Sequence, residues 1–186
     1  MSKVILDVPY HSQLNNKYNA YGSCNVTSAA MVVKYVYRKA GKDNGWLDKF
    51  PTFREEQLED EMYRVMQHLS LSRHNPYDIQ NLIMLYGVND KFQEFSTFDS
   101  VKTNLDKGYP LICHGWFTTF GHIIVIIGYD DDEKVFYVHD PYGEYWSNGY
   151  DTSVNGANLK YSYDLITKVC IESDKSFWIH HIGNLL

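Results

Sequence analysis

Four side chains have the types that acyl transfer through a thiol requires. They are Cys24 in "YGSCNVTSAAMVV", His122 in "FGHIIVIIGYD", Asp140 in "VFYVHDPYG" and Gln13 in "VPYHSQLNN". A free thiol titrates at about 8.5, so little of it is anionic at neutral pH; a helix N-terminus and a nearby imidazolium both favour the thiolate. The imidazole then returns a proton to the leaving group. A carboxylate fixes its tautomer and orientation. An amide such as that of Gln13, together with the backbone N–H of the cysteine, can meet the charge that develops on the carbonyl oxygen, typically for about 3 kcal/mol.

These residues need elements to hold them. Val26, Ala29, Ala30, Val33 and Tyr37 recur at the spacing of one buried helical face, Arg38 and Lys39 suit the last turn, and Gly41 ends it, so Cys24 opens a helix. Further helices are expected in "REEQLEDEMYRVMQHL", with Leu58, Met62, Val65 and Leu69 inward, in "NPYDIQNLIMLYG", capped by Asn75 and stopped by Gly87, and in "TFDSVKTNLDKGY". A short strand is expected before Pro9, and "PLICHGW", "HIIVIIGYD" and "KVFYVHDPYG" read as strands, the last two joined by the polar turn "DDDE". "WSNGYDTSVNGANL" reads as a long loop, "YSYDLITKV" as a short helix and "SFWIHHIG" as a final strand. Helices first and an antiparallel sheet after them predict an α+β fold with a helical half packed on a sheet half, in a single domain over 1–186. If the two central strands form a hairpin, His122 and Asp140 lie at similar distances from its turn and meet across it. Nothing local brings Cys24 to them.

The totals narrow the function. The 186 residues are 44% hydrophobic and 22% charged, an ordinary globular mix, with 16 tyrosines. A net charge of −6 argues against nucleic acid as a partner. No apolar run is long enough for a membrane span or a signal peptide. Three cysteines make no disulfide framework. Together these predict a protein made in a reducing cytoplasm, with release by lysis or a dedicated secretion route left open.

The ordered segments "VPYHSQLNN…YGSCNVTSAAMVV", "KGYPLICHGW…FGHIIVIIGYD" and "VFYVHDPYG" resemble the papain-fold peptidases related to the bacteriocin-processing, double-glycine-leader (C39-like) peptidases. The resemblance runs from Val8 to Gly143. It implies a papain-like fold, cysteine-peptidase chemistry, and a site made of Gln13, Cys24, His122 and Asp140. Val26 stands where the family often has proline. No transporter segments follow, and residues 144–186 lie outside the resemblance with their role open.

The expected activity is therefore hydrolysis of peptide bonds, on a peptide or a peptidoglycan peptide, with no cofactor and no metal. Gly22, Ser23, His114 and Trp116 are candidate substrate contacts. The alternatives are a peptidoglycan-directed hydrolase and an inactive binding domain of the same fold. A zinc site from Cys24, His114, His122, His139 and Asp140 lacks any recognised ligand spacing. Strand alternation turns His139 away from Asp140 and sets His180 and His181 on opposite faces. Cys113 and Cys170 read as structural thiols, and His11 as a loop residue beside the cleft. Tyr142, Tyr145 and Trp146 suit either a groove or a core.

Overall fold

A computed structural model describes residues 2–186. The chain opens with β1 (Lys3–Ile5), and two single 3₁₀ turns lead to α1 (Cys24–Lys39). Then come α2 (Leu58–His68), α3 (Pro76–Leu85), β2 (Val88–Gln93) and α4 (Phe98–Asp106). The remainder is β3 (Leu111–Gly115), β4 (His122–Asp130), β5 (Val135–His139), β6 (Glu144–Trp146), β7 (Gly149–Asp151), β8 (Leu159–Ser162), α5 (Tyr163–Cys170) and β9 (Ile179–Leu185).

The main sheet has the strand order β2-β9-β3-β4-β5-β8, antiparallel throughout. Strand β1 pairs with the far half of β4, beyond the stretch that β3 uses. Every residue of β4 is buried. One face, with Ile123, Val125 and Ile127, packs on α1, α2 and α3. The other, with Ile124 and Ile126, packs on α4 and α5 through Val101, Leu105, Ile166 and Val169. A continuous apolar strand is what a sheet covered on both faces requires. Among the described residues no helix is long and apolar enough to cross a membrane.

Several elements differ from the sequence expectation. Helix α1 buries 12 of its 16 residues rather than one face. Its small Ser28, Ala29 and Ala30 let it run through the core, and an apolar helix without a polar face belongs there. Leu69 lies just past α2 and is exposed, and Met66 fills the inward place instead. Strand β2 and the hairpin β6–β7 occupy segments read as connections or loop, and β8 takes the first two residues of the segment read as a short helix. Periodicity misses them because strands this short carry few alternating positions. The cap of α3 is as expected, with Asn75 Oδ1 accepting from the Tyr77 N–H (2.9 Å) and Gly87 in the left-handed region at φ +85°.

Candidate active site

Cys24 is the first residue of α1, at its exposed end. Ser23 precedes it but does not cap the helix with its side chain, since its hydroxyl turns back onto the Asn19 carbonyl (2.7 Å). Among the described residues the Cys24 backbone N–H has no hydrogen-bond partner. The positive end of the helix therefore stays open beside the sulfur, where an anion is stabilised.

His122 begins β4, directly after Gly121, whose φ of +84° closes the turn from β3. Its Nε2 donates to Asp140 Oδ1 at 2.8 Å. The Cys24 thiol shares one cleft with the ring and acts on its charge. Burial alone would lower the His122 pKa. The Asp140 charge and the neighbouring Cys24 sulfur outweigh it, with the hydrogen bond to Asp140, and hold the imidazolium up to about 10.

Asp140 follows β5 and is fully buried. Its meeting with His122 is less direct than a hairpin pair. Val125 faces His139, so Ile124 is level with Asp140 and His122 is displaced by one alternation on the same face. A bulge at Ile127 sets this register, since the pairing shifts between Ile126 and Gly128. Asp140 Oδ1 also accepts from the Tyr142 N–H (3.0 Å). Its Oδ2 accepts from the hydroxyls of Tyr150 (2.8 Å) and Tyr161 (2.7 Å). His139 points to the other face, as alternation required, donating to the Val8 carbonyl (2.7 Å) and accepting from the Asn158 N–H (3.1 Å).

A cleft of about 670 Å³ opens over Cys24 and His122. Gln13, Gly22, His114 and Trp116 line it too. Gln13 is buried, and its amide donates to the carbonyls of Ala20 (2.8 Å) and Tyr21 (3.2 Å) while Oε1 has no partner. Ser23 is fully buried and holds the turn rather than lining the cleft. Trp116 is exposed, its Nε1–H on Glu172 Oε1 (2.7 Å). His11 lies away from the cleft, against Glu59 and Lys34 (both 3.3 Å). Cys113 and Cys170 are buried side by side, and burial and the neighbouring thiol push Cys170 well up. Tyr142, Tyr145 and Tyr150 cluster around the His122 region, Tyr142 and Tyr150 touching its ring edge-on.

His114 belongs to a second chain of polar groups. Asp90 Oδ2 accepts from His180 Nδ1 at 2.8 Å, and His180 Nε2 lies 2.9 Å from His114 Nε2. Of these two ring nitrogens one donates and the other accepts, so the three side chains share one line of hydrogen bonds. Among the described residues no three His, Cys, Asp or Glu side chains are grouped to hold a metal ion.

Sequence reasoning did not find Tyr150 and Tyr161. The available signal was "EYWSNGYD", aromatic residues on both sides of a Ser-Asn-Gly turn, which marks a hairpin beside the site.

The Peptidase_C39 like family matches residues 5–171. The chain matches no curated protein. Among solved structures it is similar to a protein of Bacillus anthracis assigned to the C39-like peptidases, with 14% identity, all of both chains covered and a TM-score of 0.61. Xylellain, a cysteine protease from Xylella fastidiosa, gives 13% identity and a TM-score of 0.55, over 99% of this chain and 86% of its own. A double glycine motif protease from an AMS/PCAT transporter, in complex with its leader peptide, gives 19% and 0.51, over 96% and 93%. At these identities the likeness is one of fold, and the α+β architecture is that of the papain-like peptidases.

Proposed function

The chain belongs to the Peptidase_C39 like family, and from that premise we propose that it is a cysteine peptidase whose catalytic residues are Cys24, His122 and Asp140. The observation that carries this reading is the sequence of contacts from the open N-terminus of α1 to the buried carboxylate. Cys24 and His122 face one cleft, and His122 Nε2 is held on Asp140 Oδ1 at 2.8 Å. We further take residues 1–186 as one domain, because β9 inserts between β2 and β3 in the middle of the sheet.

The Cys24 thiolate attacks the substrate carbonyl carbon, and the π electrons move to oxygen. The oxyanion forms beside the free Cys24 N–H. Gln13 is the second donor once its longer bond, to the Tyr21 carbonyl, yields a proton. The His122 imidazolium gives its proton to the leaving amine as the C–N bond breaks, which leaves a thioester on Cys24. Neutral His122 then takes a proton from water, whose oxygen attacks the thioester and releases the acid and the thiolate. Asp140 holds the Nε2–H throughout and stabilises the imidazolium.

The substrate is a peptide lying in the cleft between Gly22 and Trp116. The aromatic lining of the cleft and the leader peptide bound by the double glycine motif protease support this. The test is hydrolysis of a mixed peptide library, read as new N-termini by mass spectrometry, for wild type and Cys24→Ala. New termini from the wild type alone are expected. Equal cleavage by both proteins would overturn the assignment of the nucleophile.

A further inference from the structure

Four donors converge on the Asp140 carboxylate. Oδ1 takes His122 Nε2 and the Tyr142 N–H, and Oδ2 takes two phenols from two different elements, Tyr150 of β7 and Tyr161 of β8. A carboxylate has about four lone-pair sites, so this one is saturated. Its backbone is fixed as well. The Asp140 N–H donates to the Gly156 carbonyl (2.8 Å), and its carbonyl accepts from the Tyr10 hydroxyl (2.9 Å). Gly156 passes so close that a Cβ there would sit 1.9 Å from the Asp140 oxygen. What remains free is rotation of the carboxylate itself.

We propose that Tyr150 and Tyr161 are positioning residues of this site, a pair of phenols that clamp Asp140 Oδ2 so that Oδ1 stays on His122 Nε2. This rests on the peptidase reading above. It also gives residues 144–186, whose role the sequence left open, a part in the site. The Tyr161 hydroxyl accepts from the Tyr145 N–H (3.0 Å), which leaves its single proton for Asp140. Burial and then the Asp140 charge push both phenols far above their ordinary range, so both stay protonated donors across the working pH. The Tyr150 ring also meets the His122 ring edge-on, with centroids 5.4 Å apart. One residue thus touches both partners of the pair it aligns.

Replacing both phenols by phenylalanine leaves Oδ2 buried without a donor. The strain is relieved by rotation of the carboxylate, by entry of water or by uptake of a proton. Rotation moves the oxygen off His122, water weakens the attraction, and a proton removes the charge. Each route weakens the hold on the imidazolium. Tyrosines that merely filled the core would have no such effect, because phenylalanine keeps the ring.

The experiment is a nitrogen-15 NMR titration of the His122 imidazole from pH 6 to 11. It compares wild type, Tyr150→Phe, Tyr161→Phe and the double variant, each also with Asp140→Ala. Wild-type His122 is expected to keep its proton until about pH 10. The double variant is expected to lose it at least about one pH unit earlier, a tenfold change in proton affinity, with the singles between. With Asp140→Ala in place the tyrosine changes are expected to add nothing. A double variant that titrates with the wild type overturns the proposal, as does an equal shift in the Asp140→Ala background. If the double variant does not fold, the two singles, each lacking one hydroxyl, carry the same comparison. The titration needs no turnover. Failure of the peptidase reading would instead appear as wild-type Cys24 alkylated by iodoacetamide no faster than Cys113 and Cys170.

Discussion

Two histidine–carboxylate chains lie side by side in one sheet, and their cleft-facing histidines shift in opposite directions. One crosses β2, β9 and β3 as Asp90–His180–His114, and the other crosses β5 and β4 as Asp140–His122. Both histidine–carboxylate contacts are 2.8 Å long and buried. Yet His122 is held charged up to about 10, whereas burial and the neighbouring His180 lower His114 well below the usual range. The difference lies in the surroundings. Asp140 has four donors, while Asp90 Oδ1 has none. His122 ends on a thiol at a helix N-terminus, and His114 ends among Phe92 and Trp178. Charged neighbours and a carboxylate fully supplied with donors favour the protonated form of His122, and burial disfavours that of His114.

The largest expected effect is on turnover. His122→Ala should lower kcat/KM by about a thousandfold or more, as removal of a catalytic base does. His114→Ala should change it a few-fold at most, through contacts in the cleft. Equal losses in the steady-state kinetics of the two variants would erase the distinction between the chains.

Stability should show the reverse. His180→Ala leaves Asp90 buried without its partner, and a loss of about 2–4 kcal/mol in urea unfolding is expected. The Cys24 alkylation rate should not move. A slower alkylation would mean that the second chain feeds the first.

Asp140→Asn is intermediate. An amide oxygen still accepts from Nε2–H but carries no charge, so a loss of roughly tenfold to a hundredfold in kcat is expected. His122 is protonated in its active pairing, and its pKa is raised in the folded state. The stability it contributes is thus complete below its unfolded value, about 6.5, and is lost as pH rises through about 10, and activity, which needs the imidazolium, falls along the same alkaline limb. In Asp140→Asn the alkaline limb of the pH–rate profile should move towards neutrality. An unmoved limb would mean that another group supplies the charge.

The smallest effect concerns His114. Its pKa is lowered in the folded state, so its contribution is present above about 6.5 and lost as pH falls below that. His139 and His181 are also lowered by burial and add to this acid sensitivity. Thermal melts between pH 7 and 5 should show Tm falling in the wild type and falling less in His114→Phe. Identical slopes would place the acid-sensitive group elsewhere.

Much of this was legible along the chain. Residue type and helix periodicity placed Cys24 at a helix start, and strand alternation turned His139 away from Asp140. The hairpin put Asp140 near His122, though the bulge at Ile127 made the meeting diagonal, and a one-residue irregularity leaves no trace in composition. His114 was legible as a cleft residue, but its partners His180 and Asp90 lie on strands that a linear reading cannot order.

What the sequence determined by itself is local. Caps, turns, periodicity and the three ordered segments follow from neighbours a few residues apart, where sterics and hydrogen bonding act directly on the chain. The tertiary structure decided the rest. It brought the N-terminus of α1 against the first residue of β4, placed β9 between β2 and β3, and carried Tyr150 and Tyr161 from β7 and β8 onto Asp140. These contacts join residues distant in sequence, and what fixes them is burial of both faces of one sheet, a condition on the whole chain that no short segment encodes.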